Sequence, residues 1–268
     1  MIKDITLGQF FPGNSILHRL DARIKIILTV LFIIMVFLAK TIFSYLLVLA
    51  FTLILVIISG ISFKTVVKSL KPIVFVLILT SALNIFWTVG GELVFSYGII
   101  KIYSDGIRFA VLMVLRITSL LIGTSVILTY TTSPIMLTDG LERLLSPLKL
   151  IRVPVHEFSL MMTIALRFIP TLVEETDKIM SAQKARGADF TSGSLVKRAK
   201  ALIPVLIPLF ISSFRRADEL ATAMECRCYN GGDGRTKMTT PHMSVLDVFA
   251  LVVFIAFGVL IIFTNSIF

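Results

Sequence analysis

Long apolar runs separated by short polar interruptions fill the first 130 residues of the chain; the pattern then changes. Apolar residues dominate about 24–40, 42–59, 72–89 and 107–130, and again 243–264. The runs are continuous rather than alternating, which argues against membrane β-barrel strands and predicts helices. A hydrocarbon core of ~30 Å needs ~20 helical residues, so the first run is short and relies on snorkelling flanks. Segment 131–241 holds fifteen Lys/Arg and eleven Asp/Glu, more than half of all charges, and is punctuated by Pro134, Pro147, Pro154, Pro170, Pro204 and Pro208. Because proline tends to end or start a helix, this predicts short helices followed by two long ones, about 171–186 and 205–228. In the first, Leu172, Thr176, Ile179, Met180 and Gln183 share a face, and Glu174, Glu175, Asp177, Lys178 and Lys184 cover the rest. The second starts apolar (Leu206, Ile207, Leu209, Phe210, Ile211) and turns amphipathic after Phe214. Its small residues Ala217, Ala221, Thr222 and Ala223 suit a close helix crossing. The expected fold class is an all-α integral membrane protein of about five transmembrane helices plus a polar region with long amphipathic helices.

Composition agrees with lipid as solvent. Of 268 residues, 56% are hydrophobic and only 16% charged, where a soluble domain averages nearer a quarter. The net charge of +10, in a chain this apolar, reads as basic cytoplasmic loops rather than nucleic-acid binding. Arg19, Arg23 and Lys25 precede the first run, and Lys64, Lys68 and Lys71 lie between the second and third. The opposite side carries Lys40, then Glu92, Lys101 and Asp105. This places the N-terminus, the 60–71 loop and 131–241 in the cytoplasm, leaving Phe268 outside and Trp87, Tyr97 and Tyr103 suited to the outer interface. The expected domains are 1–130 with 242–268 in the membrane and 131–241 in the cytoplasm. The first 25 residues show no cleavable signal-peptide pattern.

Little of the chemistry is catalytic. Cys226 and Cys228 stand one residue apart without a second pair, and His18, His156 and His242 are scattered, so neither a disulfide framework nor a metal site is expected. Gly231–Lys237 lacks the spacing of a phosphate loop. Arg116, inside the fourth run, must face protein or water; pairing with carbonyls or a hydroxyl weighs ahead of a transport role. His156-Glu157 and Glu174-Glu175 read as solvated helical faces. The distinctive feature is an arginine between small residues at the end of each long helix: Ala185-Arg186-Gly187 and Cys226-Arg227-Cys228. Arginine in a last turn also complements the helix macrodipole. Two matched ends entering Gly-containing turns favour docking, with the arginine reaching a partner's carboxylate through a two-point contact. Gly187 suits a left-handed cap, and Asn230-Gly231-Gly232 supplies one after the second helix; Cys228 would adopt that turn less cheaply than glycine.

These residues carry a resemblance. The chain resembles the T component, the shared transmembrane coupling subunit, of energy-coupling factor transporters, a class of ATP-driven micronutrient importers. Gly8–Ser15 and Leu17–Lys25 are similar to the family's opening, Leu128–Pro134 and Ala165–Pro170 to its middle, and the two arginine tripeptides to its signature. The resemblance implies that 131–241 is a coupling domain and that Arg186 and Arg227, with Ala185, Gly187, Cys226 and Cys228, dock two ABC-type ATPases. It implies a second partner, a membrane-embedded S component that captures the substrate, and uptake of vitamins or related micronutrients. ATP and magnesium would be used by the ATPases, with no cofactor bound by this chain, which is then a non-catalytic subunit of the cell membrane. The cysteines replace the Ala and Gly commoner in the second motif; being small, they leave docking possible. The alternatives are the T component of a cobalt or nickel importer and, further off, a self-sufficient secondary transporter. The latter would show paired repeats and broken helices with polar midplane groups.

Overall fold

The computed structural model describes residues 10–97, 100–190, 192, 194–232 and 243–267. Its helices are α1 (Ile16–Arg19), α2 (Ala22–Leu38), α3 (Ile42–Ser59), α4 (Phe63–Trp87), α5 (Ser104–Thr124), α6 (Pro134–Leu144), α7 (Val155–Ala185), α8 (Leu195–Cys226) and α9 (Val245–Ile267). Four of them, α3, α4, α5 with its π-helical continuation to Thr129, and α9, are long and apolar enough to cross a bilayer. The other expected span, α2, is the shortest at 17 residues. The all-α membrane fold class stands.

Contacts divide the chain into two units, one of residues 10–141 and 243–267, the other of 142–232, among those described. The first unit is built around α2, whose Ile24, Leu28, Phe32, Met35 and Val36 are buried together with Tyr45, Val48, Phe51 and Leu55 of α3 and Phe254 and Ile261 of α9. Its outer helical faces are apolar and exposed, as at Phe75 and Ile78 on α4 and Phe249 and Phe263 on α9. Apolar surface on this scale needs lipid or protein against it.

Polar ties close this unit at both ends of α2. At its start the buried Lys25 Nζ donates to the carbonyls of Thr131 at 2.8 Å and His18 at 3.3 Å. Beside it, buried Asp247 accepts from the backbone N–H of Asp21 at 2.9 Å and of Ser244 at 2.7 Å. At its far end the Asn265 side chain donates to the Leu38 carbonyl at 2.8 Å and accepts from Ser44 Oγ at 2.8 Å. Arg116 of α5 donates through Nε to the Tyr45 hydroxyl at 2.7 Å, its guanidinium 5.7 Å from the Phe37 ring centre. A guanidinium among apolar helices is thus satisfied by a hydroxyl and aromatic faces.

Several boundaries differ from the sequence expectation. The third run was expected to begin at 72, but α4 begins at Phe63 and passes through Pro72. Lys64, Lys68 and Lys71 therefore lie on its first turns rather than in a loop. At 25 residues, ~37 Å long, α4 exceeds the hydrocarbon core and leaves room for those turns outside it. The expected loop after Trp87 contains a hairpin, with Leu93–Tyr97 antiparallel to Ile100–Tyr103. The two long helices also start earlier than expected, α7 running through Pro170 and α8 through Pro204 and Pro208. A proline removes one helical hydrogen bond and disfavours the helical region for the residue before it, but a long packed helix can absorb that as a bend.

Candidate functional site

The ends of α7 and α8 are built alike. Arg186 (φ −87°, ψ 8°) and Arg227 (φ −95°, ψ 16°) are the cap residues, each followed by a left-handed residue, Gly187 (φ 87°) and Cys228 (φ 55°). On α7 the N–H of Gly187 donates to Lys184 O at 2.9 Å and that of Ala188 to Gln183 O at 3.0 Å. On α8 the N–H of Cys228 donates to Glu225 O at 2.8 Å and that of Tyr229 to Met224 O at 3.0 Å. Both are Schellman closures, which satisfy carbonyls a helix end otherwise leaves open. The left-handed cap after the second helix was expected within 230–232; Gly231 is left-handed (φ 81°), but the cap itself falls to Cys228, because α8 stops at Cys226. The two hydrogen bonds made there offset a Cβ penalty of about 1–2 kcal/mol.

Each closure turns the chain away directly after its arginine. Ala185, Arg186 and Gly187 are exposed, as are Cys226, Arg227 and Cys228. Neither arginine side chain makes a hydrogen bond or ion pair among the described residues, so each keeps a planar fork of five donors for an outside acceptor. The small neighbours leave space around that fork. The cysteines are free thiols. Among the described residues no three His, Cys, Asp or Glu side chains are grouped to hold a metal ion. His242 and most of the Gly231–Lys237 stretch lie outside the described residues, as do Gly8 and Gln9 of the N-terminal motif.

Two features were missed in the sequence. Glu175, expected on a solvated face, is paired with Arg216 of α8 at 2.6 Å. Its carboxyl is held below the ordinary value by a hydrogen bond from Ser212 and by the Arg216 charge, with partial burial working against them. His156 was also expected in solvent; its Nδ1 instead lies 3.1 Å from Glu142 Oε1, and its side chain is mostly buried. Both partners lie at least 14 residues away in sequence, beyond the reach of helical periodicity.

Comparison with known proteins extends this picture along the whole chain. The family model described as cobalt transport protein (CbiQ) matches residues 13–238. The energy-coupling factor transporter transmembrane protein EcfT of Ruminiclostridium cellulolyticum is 53% identical over 268 residues, 100% of both chains. The chain belongs to this transporter family. The protein of the same name from Clostridium kluyveri is 53% identical over 251 residues, 93% of each chain. That of Bacillus subtilis is 46% identical over 266 residues, 99% of this chain and 100% of the relative. The resemblance read from the arginine ends and N-terminal motifs therefore holds at the family level. As an energy-coupling factor transporter transmembrane protein, the chain is a multi-pass transport component.

Proposed function

We propose that this chain is the coupling subunit that turns the motion of two ABC-type ATPases into substrate uptake through a separate capture subunit. The observation that carries the reading is the pair of alike helix ends, each presenting an exposed and unpaired arginine. A bound carboxylate would receive two parallel charge-assisted bonds, a geometry that orients as well as attracts. With one such end per ATPase, closure of the ATPase pair would bear on α7 and α8, tied through Arg216 and Glu175. Nucleotide and magnesium belong to the ATPases in this scheme, and this chain performs no chemistry. The capture subunit takes the vitamin or related micronutrient. The basic bias of the N-terminal region and of 142–232 supports docking ends that face the cytoplasm, where ATP is supplied.

Truncating one member of a buried, hydrogen-bonded charge pair costs about 2–5 kcal/mol, a loss of roughly 30- to several-thousand-fold in affinity. Arg186→Ala or Arg227→Ala alone should weaken one contact and impair uptake. The double substitution should release both ATPases while the capture subunit stays bound, as read by co-purification from membranes alongside ATP-dependent uptake. Lysine at either position should restore only part of the loss, since an ammonium cannot form the planar contact. A double variant that retains both ATPases and transports normally would reduce these arginines to helix caps. The description of the matching family model as a cobalt transport protein favours a metal cargo instead. The ligand carried by the co-purified capture subunit decides between the two cargoes.

A further inference from the structure

The two arginine ends share one cap geometry, and after the second the chain comes up against the start of α7. After Arg227 the chain runs only five residues before Gly232 lies against the ring of His156, at the start of α7. A Cβ on Gly232 would stand 2.5 Å from His156 Cδ2 and 2.8 Å from Cγ, closer than a side chain tolerates. Glycine is therefore required there for the backbone to reach the ring.

The ring itself is fixed. Its Nδ1 lies 3.1 Å from Glu142 Oε1. An ionised carboxylate can only accept, so Nδ1 carries the proton, which sets both tautomer and orientation. Nε2 is buried without a hydrogen-bond partner among the described residues. Leaving a buried lone pair unmatched is unfavourable, and such an atom in a native fold calls for a reason.

We infer that His156 is a positioning residue for Arg227. It seats the segment Cys228–Gly232, so that the second arginine is held between α8 on one side and the start of α7 on the other. A contact whose backbone is already ordered loses less freedom on binding, so the Arg227 end is a preorganised dock. This rests on the reading that Arg227 docks an ATPase, and adds a support that the matched caps do not reveal.

The test titrates purified ATPase subunits onto the full chain held with its capture subunit in lipid nanodiscs. His156→Ala and, independently, Gly232→Val are each placed in the unaltered chain, in Arg186→Ala and in Arg227→Ala. Where Arg227 is the remaining contact, either change should weaken binding roughly tenfold, a preorganisation loss of one decade. Where Arg227 is already absent, neither change should weaken it further. Equal losses in both backgrounds would mean general damage to the fold, and no loss in the Arg186→Ala background would mean an idle seat; each overturns the inference. If the Arg186→Ala/Arg227→Ala chain binds as well as the unaltered one, the docking reading fails first and the seat with it.

Discussion

Cys228 adopts the left-handed backbone that its counterpart on α7 gives to Gly187. Holding an L-residue there costs about 1–2 kcal/mol, and glycine's greater freedom in the unfolded chain returns roughly 0.5–1 kcal/mol of any gain. Cys228→Gly should therefore stabilise the end of α8 by about 0.5–1 kcal/mol. Gly187→Ala should destabilise the end of α7 by about 1 kcal/mol, and for conformational reasons alone, since an added Cβ meets no atom within 4 Å. Hydrogen exchange at the amides of residues 186–188 and 227–229 measures both, and shifts in the same direction would contradict the matched-cap account. The small-Arg-small pattern was legible in the sequence, because residue size and charge are local properties. Which residue turns left-handed was not, because that depends on where the helix stops. Cysteine at the decisive position also pointed the wrong way.

At the scale of elements the same division recurs. The ends of both long helices were found within two residues, because each has a chemical terminator. Their starts were misplaced by about ten to sixteen residues, because Pro170 and Pro204 were given the weight of boundaries. A proline interrupts one hydrogen bond, whereas the packing of a long helix is decided over its whole face. The tie between α7 and α8 was likewise illegible, since it joins residues 41 apart. Arg216 and Glu175 are partly exposed, with side chains 37% and 21% accessible, so the pair contributes only about 0–1 kcal/mol. Its pH dependence is the sharper signature. The Glu175 carboxyl sits below its ordinary value in the folded chain. Its contribution is thus fully present above that ordinary value and is lost as pH falls through the folded one. Lowering pH from neutral to below ~4 should loosen α7 against α8, and Glu175→Gln should remove that part of the response. Hydrogen exchange over α7 and α8 at several pH values reports it; an unchanged profile in the variant would show that other carboxylates carry the acid response.

For the whole molecule, hydropathy revealed the spans because lipid imposes one requirement on every segment that crosses it: an apolar exterior with all backbone groups paired internally. It did not reveal what holds the spans together. Lys25 was counted among the basic residues that orient the chain, yet it is buried and donates to two carbonyls. Its charge is therefore doing structural duty at the foot of α2, and the orientation argument must stand without it. Arg19, Lys64, Lys68 and Lys71 remain exposed on the side assigned to the cytoplasm, against exposed Lys40 and Arg108 on the other. The basic excess survives the correction, so the N-terminal region and 142–232 should face the cytoplasm, with the Leu93–Tyr103 hairpin outside. Single cysteines test this in a chain carrying Cys226→Ser and Cys228→Ser. The structure recommends Ser62, Ser192 and Glu92 for the purpose, all exposed. An impermeant thiol reagent added to intact cells should label Glu92→Cys only. Ser62→Cys and Ser192→Cys should react once the cytoplasmic face is opened. Reversed labelling would put the two arginines on the side without ATP. The coupling reading would then fail for the whole molecule, whatever the geometry of its caps.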